Sequence, residues 1–401
     1  MPLTLKDITA AADRIRSSVA MTPCPASVAL SLAVGCEVYC KLDYLQRTGS
    51  FKERGARNAL MLLNDDQKTR GVIAASAGNH ALALAYHAGL LNIPVTVVMP
   101  LHAPLMKVAN CRSLGATIVQ HGQTIADAAE LAHELEKERS LTYINGFDDA
   151  AIIAGQGTMG LEMLEQVPQC DAIIVPVGGG GLIAGIALAV KSKNPSVQII
   201  GVEPVNAASF SAAIEAGKPV RIQTRPTLAD GLAVPRVGDR AFALALPLMD
   251  RIVTVSEHAI AMAVLRLVEL EKSVVEGAGA AGLAALIEGK LPELRGKKVV
   301  LPLCGGNIDT PILGQILERG LVADGRLCRF ETTISDRPGG LARFATVLAE
   351  AGASVRDITH DRAFAGDDVN RVLVRCVVET RDADHARALR QCLIGAGYEL
   401  R

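Results

Sequence analysis

Tryptophan is absent from this 401-residue chain, and aromatic residues make up only 3% of it. Alanine and glycine take their place, a composition suited to tightly packed α/β layers. No block of basic or acidic residues stands out, and the formal net charge is -1. That balance argues against nucleic acid or a membrane surface as a partner. No apolar run reaches the ~18 residues of a membrane span; the nearest, Asp171–Val190, is interrupted by Pro176 and the four contiguous glycines Gly178–Gly181. The segment Met1–Val19 carries Asp7, Asp13, Arg14 and Arg16, unlike a secretory signal. Nine cysteines are scattered without a CxxC pair. This points to a reducing cytoplasm, with most thiols buried as small apolar groups. Internal repeats and low-complexity tracts are missing too.

What is present is a long alternation. Half the residues are hydrophobic, ample for a large core. At roughly 100–200 residues per domain, the length predicts two or three domains. Thr4 and Asp7 predict an N-cap for a helix to about Ser18, and Glu37–Leu45 reads as a strand. Apolar strand candidates at Gly71–Ser76, Val95–Pro100 and Thr117–His121 are followed by helical patterns at Asn79–Ala88, Ala103–Leu114 and Thr124–Lys137. A second series places strands at Ala172–Val177, Gln198–Glu203 and Lys298–Cys304 among helices at Leu182–Lys191, Ser256–Glu271 and Gly279–Glu288. Strands separated by helices imply parallel sheets with right-handed crossovers. Residues 1–322 are therefore expected to form an α/β body of two parallel-sheet subdomains around a cleft, the smaller over about 45–148.

After Asp324-Gly325 the rhythm changes. Arg329–Ile334, Pro338–Ala351, Val355–Asp361, Arg371–Thr380 and Ala383–Ala396 read β-α-β-β-α, with Tyr398–Arg401 as a last short strand. This is the ferredoxin-like α+β pattern, expected as a separate domain over 327–401.

Four loops carry the chemistry. In Thr48-Gly49-Ser50-Phe51-Lys52-Glu53-Arg54-Gly55-Ala56 a lysine lies between a strand end and a helix start. Partial desolvation would lower its pKa and make it a nucleophile for aldehydes. Taken alone, Lys52 is more simply a solvated lysine opening a helix. Ser76-Ala77-Gly78-Asn79-His80 lies where a strand gives way to a helix, so free N–H groups face a cleft and suit a carboxylate; His80 by itself reads as a packed core histidine. Gly178-Gly179-Gly180-Gly181-Leu182 can close around an anion at a helix N-terminus. A dinucleotide site is its rival, but the contiguous glycines and late position do not fit GxGxxG. Leu303-Cys304-Gly305-Gly306-Asn307 ends a buried strand, and a lone cysteine there is ordinarily an apolar filler.

Together these strings closely resemble the fold-type II pyridoxal-phosphate enzymes, the family of threonine dehydratase, serine dehydratase, serine racemase and tryptophan synthase β. The resemblance spans nearly all of residues 1–320. It implies a tryptophan synthase β-like fold with pyridoxal 5′-phosphate on Lys52, beside Phe51. Gly178, Gly179, Gly180, Gly181 and Leu182 would hold its phosphate, Asn79 its 3-oxygen and Cys304 its ring nitrogen. Ser76, Ala77, Gly78, Asn79 and His80 would face the substrate carboxylate. Gly231 could offer a carbonyl and Glu276 a carboxylate near the ring edge, although turn and cap roles suit both equally. Relatives with a divalent-ion site use a glutamate at the place of Glu203, a carbonyl at Ala207 and an acid where this chain has Ser209. Lacking that acid, the chain is not expected to hold Mg²⁺ tightly; a monovalent cation is the remaining option.

Within the family, serine racemases carry a second serine where this chain has Ala77, and a methyl group cannot move a proton. The resemblance thus implies a threonine dehydratase acting on threonine and serine. Lys52 would take the Cα proton, the β-hydroxyl would leave as water, and a 2-oxo acid and ammonia would result. A serine racemase or a 3-hydroxyaspartate dehydratase are the alternatives within the family. An inactive amino-acid sensor is a third, opposed by the intact Lys52, Asn79 and tetraglycine. Asp336-Arg337-Pro338-Gly339-Gly340-Leu341 resembles the effector loop of ACT regulatory domains, although Pro after a capping Asp or Arg is also a normal helix start. The resemblance implies an amino-acid effector, isoleucine or valine by metabolic analogy, at Asp336, Pro338, Gly339, Gly340 and Leu341, and a homodimer or homotetramer.

Overall fold

The computed structural model describes residues 3–362 and 369–401, which divide into compact units at Asp309/Thr310. The strands in chain order are β1 (Ala26–Ser27), β2 (Glu37–Lys41), β3 (Val72–Ala75), β4 (Val95–Met99), β5 (Thr117–Gln120), β6 (Thr142–Tyr143), β7 (Ala172–Pro176), β8 (Gln198–Pro204), β9 (Arg251–Val255), β10 (Lys298–Pro302), β11 (Leu327–Ser335), β12 (Ser354–Asp361) and β13 (Arg371–Glu379).

The first unit, residues 1–309, holds two sheets. The larger runs β1-β2-β10-β7-β8-β9 and the smaller β5-β4-β3-β6. All pairs are parallel except β1–β2. Parallel strands covered on both faces read as unbroken apolar runs, and Ala172, Ile173, Ile174 and Val175 of β7 are fully buried. The expected strand Glu37–Leu45 is shorter than anticipated: it ends at Lys41, and Asp43–Leu45 is a 3-10 turn.

Three helices tie the sheets together: Lys52–Met61, Ala150–Gln166 and Gly181–Lys193. The middle one had no sequence signature, because it is buried nearly all round and shows no amphipathic period. Its start is fixed by Asp149, whose Oδ1 accepts the backbone N–H groups of Ala151 and Ile152 at 2.7 and 3.1 Å. Glycine sets its approach to both neighbours. A Cβ on Gly155 would lie 2.5 Å from the carbonyl of Arg54, and one on Gly157 would lie 2.8 Å from that of Gly185.

At this junction lies a buried ionic network. The Arg54 guanidinium donates through Nε and Nη2 to both oxygens of Asp43 at 2.8 Å, and to Glu162 at 2.6 and 2.8 Å. Lys41 Nζ donates to Glu162 at 2.6 Å and to the Thr22 carbonyl at 2.5 Å. Lys41, Asp43 and Arg54 are fully buried. Burial alone would raise the Asp43 carboxyl; the adjacent Arg54 outweighs it and holds that group below its usual range.

In the second unit an antiparallel sheet, β11-β13-β12, packs under the helices Gly340–Glu350 and Ala383–Gly395. The expected sixth element does not form a strand. Arg401 exchanges two backbone hydrogen bonds with Glu331, at 3.3 and 2.8 Å, and the pairing stops there. Among the described residues no helix is long and apolar enough to cross a membrane, and all nine cysteines are free.

Removing one partner from a buried ion network strands the others. Arg54→Met is expected to lower the free energy of unfolding by ~3–5 kcal/mol, measured by urea denaturation. A loss under about 1 kcal/mol would show that the network does not hold this junction.

Candidate active site

A cleft of about 590 Å³ opens at the carboxyl ends of the parallel strands, with walls from both sheets. Lys52, Ser76–His80, Gly178–Leu182, Gly231, Glu276 and Cys304, spread from residue 52 to residue 304 of the chain, all line it. The effector-loop candidates Asp336, Pro338, Gly339, Gly340 and Leu341 belong to the second unit and are described separately below.

Lys52 begins its helix directly after Phe51. The preceding loop is zipped to the segment after β10: Phe51 N–H donates to the Cys304 carbonyl, Gly306 N–H to the Gly49 carbonyl, each at 2.9 Å, and Ser50 bridges Gly305. Glu53 closes the loop from beneath, accepting the Thr48 N–H and meeting His87 Nε2 at 3.0 Å. Lys52 Nζ is thereby directed into the cleft, where it donates to the Gly146 carbonyl at 2.6 Å. Burial pushes its pKa down to about 8, against the opposing pull of Glu276.

The tetraglycine turn follows β7 and starts the helix Gly181–Lys193, with Gly180 at φ +91°. Phe147 explains two of the glycines: a Cβ on Gly179 would overlap its ring, and one on Gly181 its carbonyl. The turn lines the cleft at a helix N-terminus with glycine alone, the composition of an anion cradle. Across the cleft, Gly78 is the N-cap of helix Asn79–Leu90 and Ser76 Oγ accepts its N–H at 3.3 Å. Ala77 lies between them, offering no proton.

Asn79 Nδ2 donates to Glu276 Oε1 at 2.8 Å, and its Oδ1 accepts from Asn307 Nδ2 at 2.8 Å. Burial, together with nearby Asp230, lifts the Glu276 carboxyl to about 7. Gly231 comes close: a Cβ there would stand 3.8 Å from Glu276 Oε1. Burial also raises the Cys304 thiol well above its usual range, with Asp43 and Glu276 adding to it, so the thiol stays protonated; its Sγ–H donates to the Pro302 carbonyl at 3.1 Å. His80 is buried with Nε2 at 3.1 Å from the Ile144 carbonyl, and burial lowers its pKa to about 4. It is a neutral structural ring under Gly146.

The cation candidates behave differently. Glu203 Oε1 accepts from Phe210 N–H at 2.6 Å, and Oε2 from Ser211 N–H and Oγ at 3.0 and 2.7 Å. Both oxygens thus serve the start of the short helix Ser209–Ala216. Ala207 and Ser209 are buried beside it, and no group of three or more His, Cys, Asp or Glu side chains that could hold a metal occurs among the described residues. In the second unit, Asp336 accepts from Arg362 Nε at 2.8 Å, Gly339 takes φ +88°, and Pro338 and Leu341 are exposed. Sequence reasoning missed Gly146, Phe147 and the cationic rim residues Lys107, Arg221 and Arg236. None of these stands in a recognisable motif; only the fold brings them to the cleft.

The donor set suits pyridoxal phosphate: a desolvated amine, a glycine cradle free of side chains, and an amide between them. Comparison with known proteins agrees. Residues 15–305 match the family described as pyridoxal-phosphate dependent enzyme, and residues 330–391 match the ACT domain. The chain is 42% identical to the L-threonine ammonia-lyase of Thermotoga maritima over 399 residues, covering 100% of this chain and 99% of that enzyme. Among solved structures it is similar to the processed form of threonine deaminase isoform 2 from Solanum lycopersicum (TM-score 0.75, 35% identity, 80% of this chain and 95% of that one). It is likewise similar to maize serine racemase (TM-score 0.76, 35% identity, 80% and 99%). The chain belongs to the pyridoxal-phosphate dependent enzyme family and carries an ACT domain later in its sequence.

Proposed function

We propose that the chain deaminates L-threonine, and L-serine with it, by β-elimination of water, giving 2-oxobutanoate or pyruvate and ammonia. The observation that carries the reading is the pairing of Lys52, an amine with its pKa lowered to about 8, with Ala77, a residue that cannot move a proton, in one cleft. Pyridoxal phosphate, when bound, supplies an aldehyde for an amine and a conjugated ring that draws electrons from Cα. Gly178–Leu182 would hold its phosphate, Phe51 and Lys52 its aldehyde end, and Asn79 its ring oxygen.

The residues themselves supply the rest. The backbone N–H groups of Ala77 and Asn79 offer donors to the substrate carboxylate, those of Ser76 and Gly78 being engaged with the Val98 carbonyl and Ser76 Oγ. Lys52 Nζ, partly deprotonated near neutrality, takes the Cα proton as general base. With a methyl at Ala77 no hydroxyl is available there to return a proton from another side, which favours elimination over racemisation. The Cys304 thiol, held neutral, contributes no negative charge to the ring-nitrogen side. Such a neutral partner would not favour a proton on the ring nitrogen, which suits elimination better than transamination. Glu276 and Gly231 border the same region.

The same reading places an amino-acid effector, isoleucine or valine, at Asp336, Pro338, Gly339, Gly340 and Leu341 of the ACT domain, in a cytoplasmic homo-oligomer. Residues 1–322 would form the catalytic domain, with a smaller subdomain over 45–148, and residues 327–401 the regulatory one. A monovalent cation beside Glu203 has less support, because both carboxylate oxygens already accept from protein donors.

Loaded enzyme should release 2-oxobutanoate from L-threonine, and Lys52→Ala should lower kcat by at least about 10³-fold. A loaded protein with no 2-oxo acid product from threonine or serine would contradict the reading, and chiral analysis of serine would reveal a racemase. In the cofactor-free protein, Lys52 should react with an amine-modifying reagent half-maximally near pH 8, where a solvated lysine needs pH ~10.4. Its folded pKa lies below its unfolded one. Lys52→Met should therefore stabilise the cofactor-free fold most at pH 7, with the advantage fading as pH rises from about 8 toward 10.5.

A further inference from the structure

Asn307 does not line the cleft, yet two of the hydrogen bonds that shape the cleft converge on its Nδ2. That nitrogen is 2.6 Å from the Thr48 carbonyl and 2.8 Å from Asn79 Oδ1. The orientation of this amide is not a free choice. A backbone carbonyl only accepts, so the NH₂ of Asn307 must face Thr48. Its second hydrogen then needs an acceptor at Asn79, which fixes the Asn79 oxygen toward Asn307. The Asn79 NH₂ is left facing the other way, where Glu276 Oε1 accepts one hydrogen at 2.8 Å. The other hydrogen of that NH₂ remains for a group in the cleft.

We infer that Asn307 is a positioning residue, which fixes the amide of Asn79 so that an N–H rather than a carbonyl oxygen faces the bound cofactor. One side chain thus joins the Lys52 loop, through Thr48, to the donor on the opposite wall. The chain of polarity runs Thr48 carbonyl, Asn307 amide, Asn79 amide, Glu276 carboxylate, every donor meeting an acceptor. Reversing either amide puts two acceptors or two donors face to face and leaves a buried hydrogen bond unmade.

The inference rests on the cofactor reading above, and the test separates the two. A hydrogen bond to the cofactor's ring oxygen favours its deprotonated form. The readout is the ratio of the cofactor's two absorbance bands, ring oxygen protonated and deprotonated, at fixed pH in reconstituted protein. Asn307→Asp replaces the donor with an acceptor of the same shape. It is expected to move the ratio toward the protonated band by about threefold or more, and to raise the dissociation constant for pyridoxal phosphate about tenfold. In an Asn79→Ala background the same substitution should leave the band ratio unchanged, because Asn307 acts through Asn79. Loss of the hydrogen bond to the Thr48 carbonyl should lower Tm in both backgrounds. Asn307→Ser, which keeps a donor, serves if the aspartate variant does not fold and should keep the band ratio closer to wild type than Asn307→Ala does.

A band ratio unmoved by Asn307→Asp, or moved equally in the Asn79→Ala background, would overturn the inference while leaving the cofactor reading intact. Wild-type protein with no cofactor absorbance would overturn both.

Discussion

A single buried guanidinium, that of Arg54, sets the frame on which the cleft is built. It lies two residues beyond Lys52 and is locked to Asp43, just after β2, and to Glu162, on the central helix. Charges removed from water are tolerated only with near-complete pairing; here Asp43 accepts from Arg54 and Thr22, Glu162 accepts from Arg54 and Lys41, and Thr158 accepts from Arg54 in turn. The first turn of the Lys52 helix is therefore fixed to the larger sheet and to the helix behind it. The loop in front is fixed a second time by its backbone pairing with residues 304–306. With both ends held, the lysine stem has little freedom left. An amine kept in a cleft at one angle is the preorganisation that a covalent cofactor attachment and a proton transfer both require.

The cleft's electrostatics follow from that rigidity. Lys52 and Glu276, with pKa values near 8 and 7, share an enclosed space and influence each other. They titrate as a pair rather than as independent groups. Near neutral pH the carboxyl is losing its proton while the amine still holds much of its own, so small changes in the cleft's contents shift both. Cys304 and His80 stay neutral through the same range, one raised and one lowered by the same cause, burial. Of these four groups Lys52 and Glu276 are the two that change charge near neutrality, and Glu276 is oriented through Asn79.

The sequence revealed much of this, and the reasons are local. Glycine-rich turns after apolar strands announce themselves, because their backbone geometry depends on residues adjacent in the chain. Ser76–His80 and Gly178–Leu182 were legible in that way, whereas Lys52 and Cys304, unremarkable by themselves, stood out only through the family resemblance of the strings around them. The helix Ala150–Gln166 was not, because burial on every side erases the amphipathic period that marks a helix. The two-residue strands β1 and β6 passed unnoticed for want of length, and Arg401 pairs with Glu331 without extending into the strand expected there. Arg54, Asp43 and Glu162 also went unread as partners: an ion pair between residues 54 and 162 leaves no trace in either neighbourhood. Asn307 stood in plain sight beside Cys304, but its purpose depends on Thr48 and Asn79, which only the folded chain places against it.

The account stands or falls on Lys52 as the point where the cofactor is held. The direct measurement is borohydride reduction of protein loaded with pyridoxal phosphate, followed by digestion and mass spectrometry of the peptides. The account predicts a stable pyridoxyl group on the peptide containing Lys52 and on no other. A label on a different lysine, or none on a protein that retains the cofactor, would contradict it.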